Sequence, residues 1–247
     1  MRRRTLIATT LGLYAVVLLA TAPATLIDRG LRDASEGRMR LAQARGTVWS
    51  GTGQLQSRDP RGRAGLSEGV KWRLRGINPW RAGLAFRVEL ESGLRAFPLG
   101  LSWSGMEVTE AEFRLPAVAL GQLLTQLAPL GPSGEVHVQI SRLALGRNTV
   151  RGGAALQWRG AGSALTPVSP LGDYELRIEA NGSEGRSTLT TLQGPLQLDG
   201  HGSWSQGRKP MFLATARMPP PLKPQLAPFL RLVAVEQGDG SFEWRLK

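Results

Sequence analysis

Lys71-Trp72-Arg73-Leu74-Arg75 alternates between cation and apolar residue without a break. Successive side chains on a β-strand point to opposite faces, so Trp72 and Leu74 share one face and three cations the other. The pattern repeats on both sides of this run. Upstream, Gly46-Thr47-Val48-Trp49-Ser50-Gly51-Thr52-Gly53-Gln54-Leu55 sets β-branched and aromatic residues among glycines. Downstream, residues 84–90, 136–140, 155–158, 174–179, 189–192, 196–198 and 242–246 alternate in the same way, separated by Gly and Pro clusters. About ten short strands at near-regular spacing predict a mainly β body. The expected form is a large twisted antiparallel sheet, sandwich-like or open and curved, with one apolar and one polar face.

Two segments keep helical spacing instead. Residues 116–128, PAVALGQLLTQLA, open on proline and repeat Val118, Leu120, Leu123, Leu124 and Leu127 at helical intervals. Residues 221–233, PLKPQLAPFLRLV, do the same with Leu222, Leu226, Phe229, Leu230 and Val233. Pro224 and Pro228 weaken this second helix, because an interior proline removes a hydrogen bond. A similar order of residues precedes each helix. Pro98-Leu99, Ser102-Trp103-Ser104 and Arg114-Leu115-Pro116 come before the first; Pro195-Leu196, Ser203-Trp204-Ser205 and Arg217-Met218-Pro219 come before the second. This order predicts two similar strand–helix–strand units, about 98–140 and 195–247, with the helices covering apolar residues that an open edge would expose. The Gly- and Ser-containing stretch 160–170 reads as the loop between the halves.

The N-terminus has a different logic. Arg2, Arg3 and Arg4 precede an uncharged run, residues 5–27, that reads TLIATTLGLYAVVLLATAPATLI. About 20 mainly apolar residues are needed to cross a bilayer, so the run predicts one transmembrane helix. The flanking arginines place residues 1–4 in the cytoplasm and everything after residue 27 across the membrane. A cleaved signal peptide is the rival reading, since Ala20-Thr21-Ala22 and Ala22-Pro23-Ala24 space small residues as a cleavage site requires. The length of the apolar run favours the anchor. Residues 28–45, DRGLRDASEGRMRLAQAR, form a charged connector, a short helix or an extended leader, ahead of a β domain over 46–247.

Composition narrows the chemistry. Thirty-one Lys and Arg against 19 Asp and Glu give a net charge of +12, which attracts anionic surfaces. The cations are scattered and no nucleic-acid motif accompanies them, so no nucleic-acid partner is expected. The absence of cysteine excludes disulfides and thiolate chemistry. His137 and His201 are too few and too far apart for most His-based metal sites, and no cofactor or metal is expected. The chain lacks a P-loop, HExxH, a nucleophile elbow and a dinucleotide fingerprint after a strand. Glu107, Glu110 and Glu112 read as a solvated face partnering arginines, and Asn181-Gly182-Ser183 as a hairpin turn. No enzyme is expected. Most of the seven tryptophans, Trp49, Trp72, Trp80, Trp103, Trp158, Trp204 and Trp244, are expected in the core, with some at a partner surface.

The most specific run is Ala44-Arg45-Gly46-Thr47-Val48-Trp49-Ser50-Gly51. An apolar anchor, a charged connector, then this motif resembles the start of the type II secretion system protein N family. Val70-Lys71-Trp72-Arg73-Leu74 is similar to the strand that follows in the family. Ser169-Pro170-Leu171-Gly172-Asp173-Tyr174, and Leu192-Gln193-Gly194-Pro195-Leu196 through Gly200-His201-Gly202-Ser203-Trp204, are similar to its C-terminal half. Gly46, Thr47, Trp49, Ser50, Gly51, Trp72, Trp103, Gly172, Tyr174, Gly194, Pro195 and Trp204 are the signature and structural residues on this reading. The resemblance implies a single-pass inner-membrane protein with a periplasmic domain, working with other subunits of the secretion machine, and it brings no catalytic residue. In physical terms Gly46 to Gly51 reads as a tight strand start around Trp49. A second function fits the same pattern: a periplasmic lipid-handling or envelope-maintenance protein that holds acyl chains on an apolar β groove.

Overall fold

Alternating strands need hydrogen-bonding neighbours, and antiparallel pairing through short turns supplies them at small loop cost. The computed structural model describes residues 2–58, 64–78, 83–119, 128–146, 149–205, 207 and 209–246. It contains one 14-stranded antiparallel sheet. The strands are β1 (Met39–Gly46), β2 (Ser50–Arg58), β3 (Ala64–Asn78), β4 (Gly83–Leu90), β5 (Phe97–Ser102), β6 (Gly105–Pro116), β7 (Pro132–Gly146), β8 (Val150–Ser163), β9 (Gly172–Gly182), β10 (Glu184–Gln193), β11 (Gln197–Ser205), β12 (Met211–Arg217), β13 (Val235–Glu236) and β14 (Phe242–Leu246). From β1 to β12 every strand pairs with its sequence neighbours; at the far edge the order becomes β12-β14-β13. The mainly β class and the large antiparallel sheet agree with the sequence.

The register keeps one face apolar from edge to edge. Leu41 lies opposite Leu55, Trp72 opposite Val88, Val88 opposite Phe97 and Val108 opposite Leu143. The row continues through Val138, Leu156, Leu176 and Leu189 to Ala216 opposite Phe242. Gln43 (φ 52°) and Glu110 (φ 52°) reset the alternation, so Leu41 with Ala44 and Val108 with Ala111 reach the same side. The other face is charged and amide-rich: Lys71 opposite Glu89, Arg114 opposite His137, Gln157 opposite Glu175.

Helices cover the apolar face at its two ends. Near the N-terminus, α2 (Thr25–Ala34) brings Ile27 and Leu31, with the preceding Ala24, onto Leu41, Trp72, Phe86, Val88, Phe97 and Ala111. At the other end, α3 (Lys223–Leu230), entered through a 3-10 turn at Pro220–Leu222, seats Leu226, Phe229 and Leu230 on Leu171, Leu196, Ala216 and Phe242. Leu226 and Phe242 are completely buried. Pro224 stands in the first turn of α3, where no N–H is needed.

Several expectations are corrected. The uncharged run 5–27 is not one helix. The first helix, α1 (Arg2–Ala20), stops at Ala20. The Thr21 hydroxyl donates back to Val17 O (2.7 Å), Pro23 has no N–H to continue the ladder, and Ala24 N–H turns to Gly46 O (3.1 Å). Among the described residues no helix is long and apolar enough to cross a membrane. The charged connector 28–45 is taken up by the rest of α2 and by β1. The two strand–helix–strand units do not organise the sheet, which is a meander from β1 to β12 with β14 and β13 added at its edge. Their matched tryptophans differ in setting: Trp103 lies in the β5–β6 turn and is 82% exposed, whereas Trp204 lies within β11 and is half-buried. The helix expected over 116–128 lies largely outside the described residues, while α3 occupies the middle of the second expected helix. The stretch 160–170 divides between the end of β8 and a short link to β9. Of the tryptophans, Trp72 is buried, Trp49 and Trp158 are half-buried and Trp244 is exposed; Trp80 lies outside the described residues.

Candidate functional site

The Gly46–Gly51 run forms the turn between β1 and β2. Gly46 has φ +92°, where a side chain would also strike the Ser50 carbonyl, so only glycine fits. Thr47 N–H donates to Ser50 O (2.9 Å), and Thr47 Oγ1 accepts from the N–H groups of Trp49 (3.3 Å) and Ser50 (3.2 Å). This closed turn then grips the end of α1. Val48 N–H donates to Ala22 O (2.9 Å), and Trp49 Nε1–H donates to Leu19 O (2.8 Å). Leu19 O is one of the last carbonyls of the helix, which lack partners inside it. From the next strand, Trp72 Nε1–H donates to Thr47 O (3.2 Å). The Trp72 ring lies over Gly51, where a Cβ would fall 2.6 Å from Cζ2. Gly46, Thr47, Trp49, Ser50, Gly51 and Trp72 are thus one unit that ties α1 to the sheet.

Gly172, Tyr174, Gly194 and Pro195 form a second unit at the opposite end. Gly194 (φ +128°) packs directly on Gly172, and Leu196 N–H donates to Leu171 O (3.0 Å). The buried Tyr174 hydroxyl donates to Leu196 O (2.8 Å), with its ring edge-on to Trp158 at 6.4 Å. Burial, and secondarily the Asp173 charge, push the Tyr174 phenol above its ordinary pKa and keep it a neutral donor. Pro195 precedes Leu196, a residue of the C-terminal core. Trp103 and Trp204 join neither unit. Trp204 lies over Gly185 beside an open trough of about 1210 Å³, lined in part by Glu179, Arg186, Ser203, Lys209 and Met211.

Several carboxylates of the polar face pair with cations on their own or the adjacent strand and do not converge on a cleft. Glu107 bonds Arg142 (2.6 Å), and Glu112 lies 3.0 Å from His137 Nε2 and 3.7 Å from Arg95. Among the described residues no group of three or more His, Asp or Glu is placed to hold a metal ion. Two features go beyond the sequence reading. One is that Arg45 and Arg87 join Arg73 on the polar face beside the β1–β2 turn. The alternation of residues 71–75 puts Arg73 on that face, and only the strand register brings the other two to it. The other is Asp28, whose carboxylate accepts Leu41 N–H (2.7 Å) on the outer side of β1; nothing in its local sequence marks that contact.

A sheet of this size, a helix clamped by the Gly46–Gly51 turn and a glycine–tyrosine unit near the C-terminus frame the comparison with known proteins. No curated protein and no solved structure matches the chain. Residues 37–245 match the family described as type II secretion system (T2SS), protein N. The match spans all 14 strands except the last residue of β14. The chain therefore belongs to the type II secretion system protein N family.

Proposed function

We propose that the chain is a non-enzymatic accessory or assembly component of the type II secretion machinery, held at the inner membrane by α1 and acting in the periplasm through contacts with other subunits. The bare surface of α1 carries the anchor. Leu11, Leu13, Val16, Val17, Leu18 and Leu19 are all more than half exposed. A contiguous apolar surface of this kind is poorly solvated in water and well solvated in hydrocarbon. The uncharged part of α1, residues 5–20, rises about 24 Å at 1.5 Å per residue, short of the roughly 30 Å of a bilayer core, a mismatch that local thinning of the bilayer and snorkelling of the flanking arginines accommodate. The basic residues at positions 2–4 favour a cytoplasmic N-terminus, and the sheet, opening with β1 at Met39, is then the periplasmic domain.

Partner contact has a preferred edge. On β1, Met39 N–H is capped by Ser35 Oγ (2.9 Å) and Leu41 N–H by Asp28, so that edge is protected. On β14, β13 pairs only with Phe242 and Glu243, which leaves the stretch from Trp244 onward for strand addition by a partner. Deleting the gene should block export of folded exoproteins. Normal export together with altered envelope lipids would overturn this reading. A phosphatase fused after Lys247 should be active in the periplasm.

One observation favours the lipid-handling reading. Leu143, Leu156, Ile178 and Leu189 share the apolar face, are only half-buried and belong to neither core. A strip of this kind would hold acyl chains. Full-length protein extracted in detergent should then carry phospholipid in native mass spectra, and Leu156→Arg should remove it.

A further inference from the structure

We infer that the polar face beside the β1–β2 turn docks on the anionic headgroups of the bilayer that α1 enters; the inference rests on α1 as the anchor. The register places Ser50 opposite Arg73 and Arg73 opposite Arg87, and Arg45 opposite Thr52 in the adjoining row. Arg45, Arg73 and Arg87 are exposed and lie on the same face. Arg75 follows at the bulge between Leu74 and Gly76.

Two like charges directly opposite each other destabilise a sheet unless an anion lies between or above them. Several cations elsewhere on the polar face have carboxylates: Lys71 with Glu89, Arg114 with Glu135, Arg142 with Glu107, Arg177 with Glu175. Among the described residues Arg45, Arg73, Arg75 and Arg87 have none.

Position supplies the identity of the missing anion. Trp49 Nε1 bonds the last turn of α1, and Trp49 O accepts Leu74 N–H (2.6 Å), between Arg73 and Arg75. Neighbouring strands are about 4.8 Å apart, so Arg73 and Arg87 stand within roughly 10–15 Å of the point where the apolar helix ends. That is headgroup depth. Trp49 itself has the indole character enriched at membrane interfaces, and basic residues just outside a span attract anionic lipid. Phospholipid phosphates therefore complete the charge pairing of this face.

The test uses the full chain, whose lack of cysteine allows one label. Ala85→Cys, exposed two residues from Arg87, carries a fluorophore. The protein is reconstituted into phosphatidylcholine vesicles with or without phosphatidylglycerol, together with a headgroup quencher. Quenching should rise when phosphatidylglycerol is present and fall with added salt. Arg73→Gln with Arg87→Gln should remove that rise, each arginine shifting the docked fraction about fivefold, while co-flotation with vesicles stays intact. If the protein floats but quenching ignores phosphatidylglycerol or both substitutions, the docking inference fails and the anchor stands. If the protein does not float with either vesicle, the anchor fails and the docking inference with it.

Discussion

Gly51 and Trp72 show how one small residue sets the local design. The Trp72 ring occupies the space a side chain at Gly51 would need, and the Arg45 carbonyl closes the other side. Gly51→Ala should lower stability by about 1–3 kcal/mol, as overpacking does, with the loss read from urea denaturation. An unchanged midpoint would mean that Trp72 moves aside freely. At the far end, Tyr174→Phe keeps the ring but leaves the buried Leu196 carbonyl without its donor. An unsatisfied buried acceptor costs about 1–3 kcal/mol, so the same assay should show a drop of that size. The sequence displayed these residues as a motif and concealed their partners. Trp49 meets Leu19 thirty positions away, and Tyr174 meets Leu196 across two strands. Contacts of that kind leave no local periodicity to read.

At the scale of elements, alternation revealed the strands whose apolar residues are plain and missed those rich in charge or small residues. β1, MRLAQARG, passed as connector because arginine and glutamine mask Leu41 and Ala44, and the bulge at Gln43 breaks the period. β12, MFLATAR, has too few polar residues to alternate visibly. The break after α1 was hidden because Thr21, Ala22 and Pro23 are as uncharged as the helix before them. α3 was legible from its leucine spacing, and it is fastened by an element the sequence did not suggest. β13 carries Glu236, which bonds Arg231 (2.8 Å) and Lys223 (3.0 Å), at the C-terminal and N-terminal ends of α3. Arg231 first, then Lys223, hold the Glu236 carboxyl below the ordinary carboxylate range. A depressed carboxylate stabilises the folded form at pH above its unfolded value, about 4.3, and that stabilisation is lost as pH falls through the lower folded value. Amide protection over 223–236, corrected for the intrinsic pH dependence of exchange, should therefore fall on acidification below that range. Glu236→Gln should flatten this dependence; an unaltered pH profile in the variant would assign the loosening to other groups.

The whole molecule is a long ladder with a separate core at each end. The N-terminal core around Trp72, Phe86 and Phe97 and the C-terminal core around Leu226 and Phe242 share no residue. Between them the apolar face of β7 to β10 carries Leu143, Leu156, Ile178 and Leu189 without a covering helix among the described residues. Two substitutions test whether the ends are energetically independent. Phe86→Ala removes a buried ring from one core, and Leu226→Ala a fully buried side chain from the other. Each should cost about 2–5 kcal/mol. Distant sites without shared partners add within about 0.5 kcal/mol, so the double variant should lose the sum of the two. Hydrogen exchange should place the Phe86 loss in β1 to β6 and the Leu226 loss in β11 to β14. A double variant that loses much less than the sum would show that the middle strands couple the two cores. The open strip would then be a rigid part of one cooperative sheet. Additivity would leave each end held by its own helix, with the strip between them free to receive a partner strand or an acyl chain while both cores stay closed.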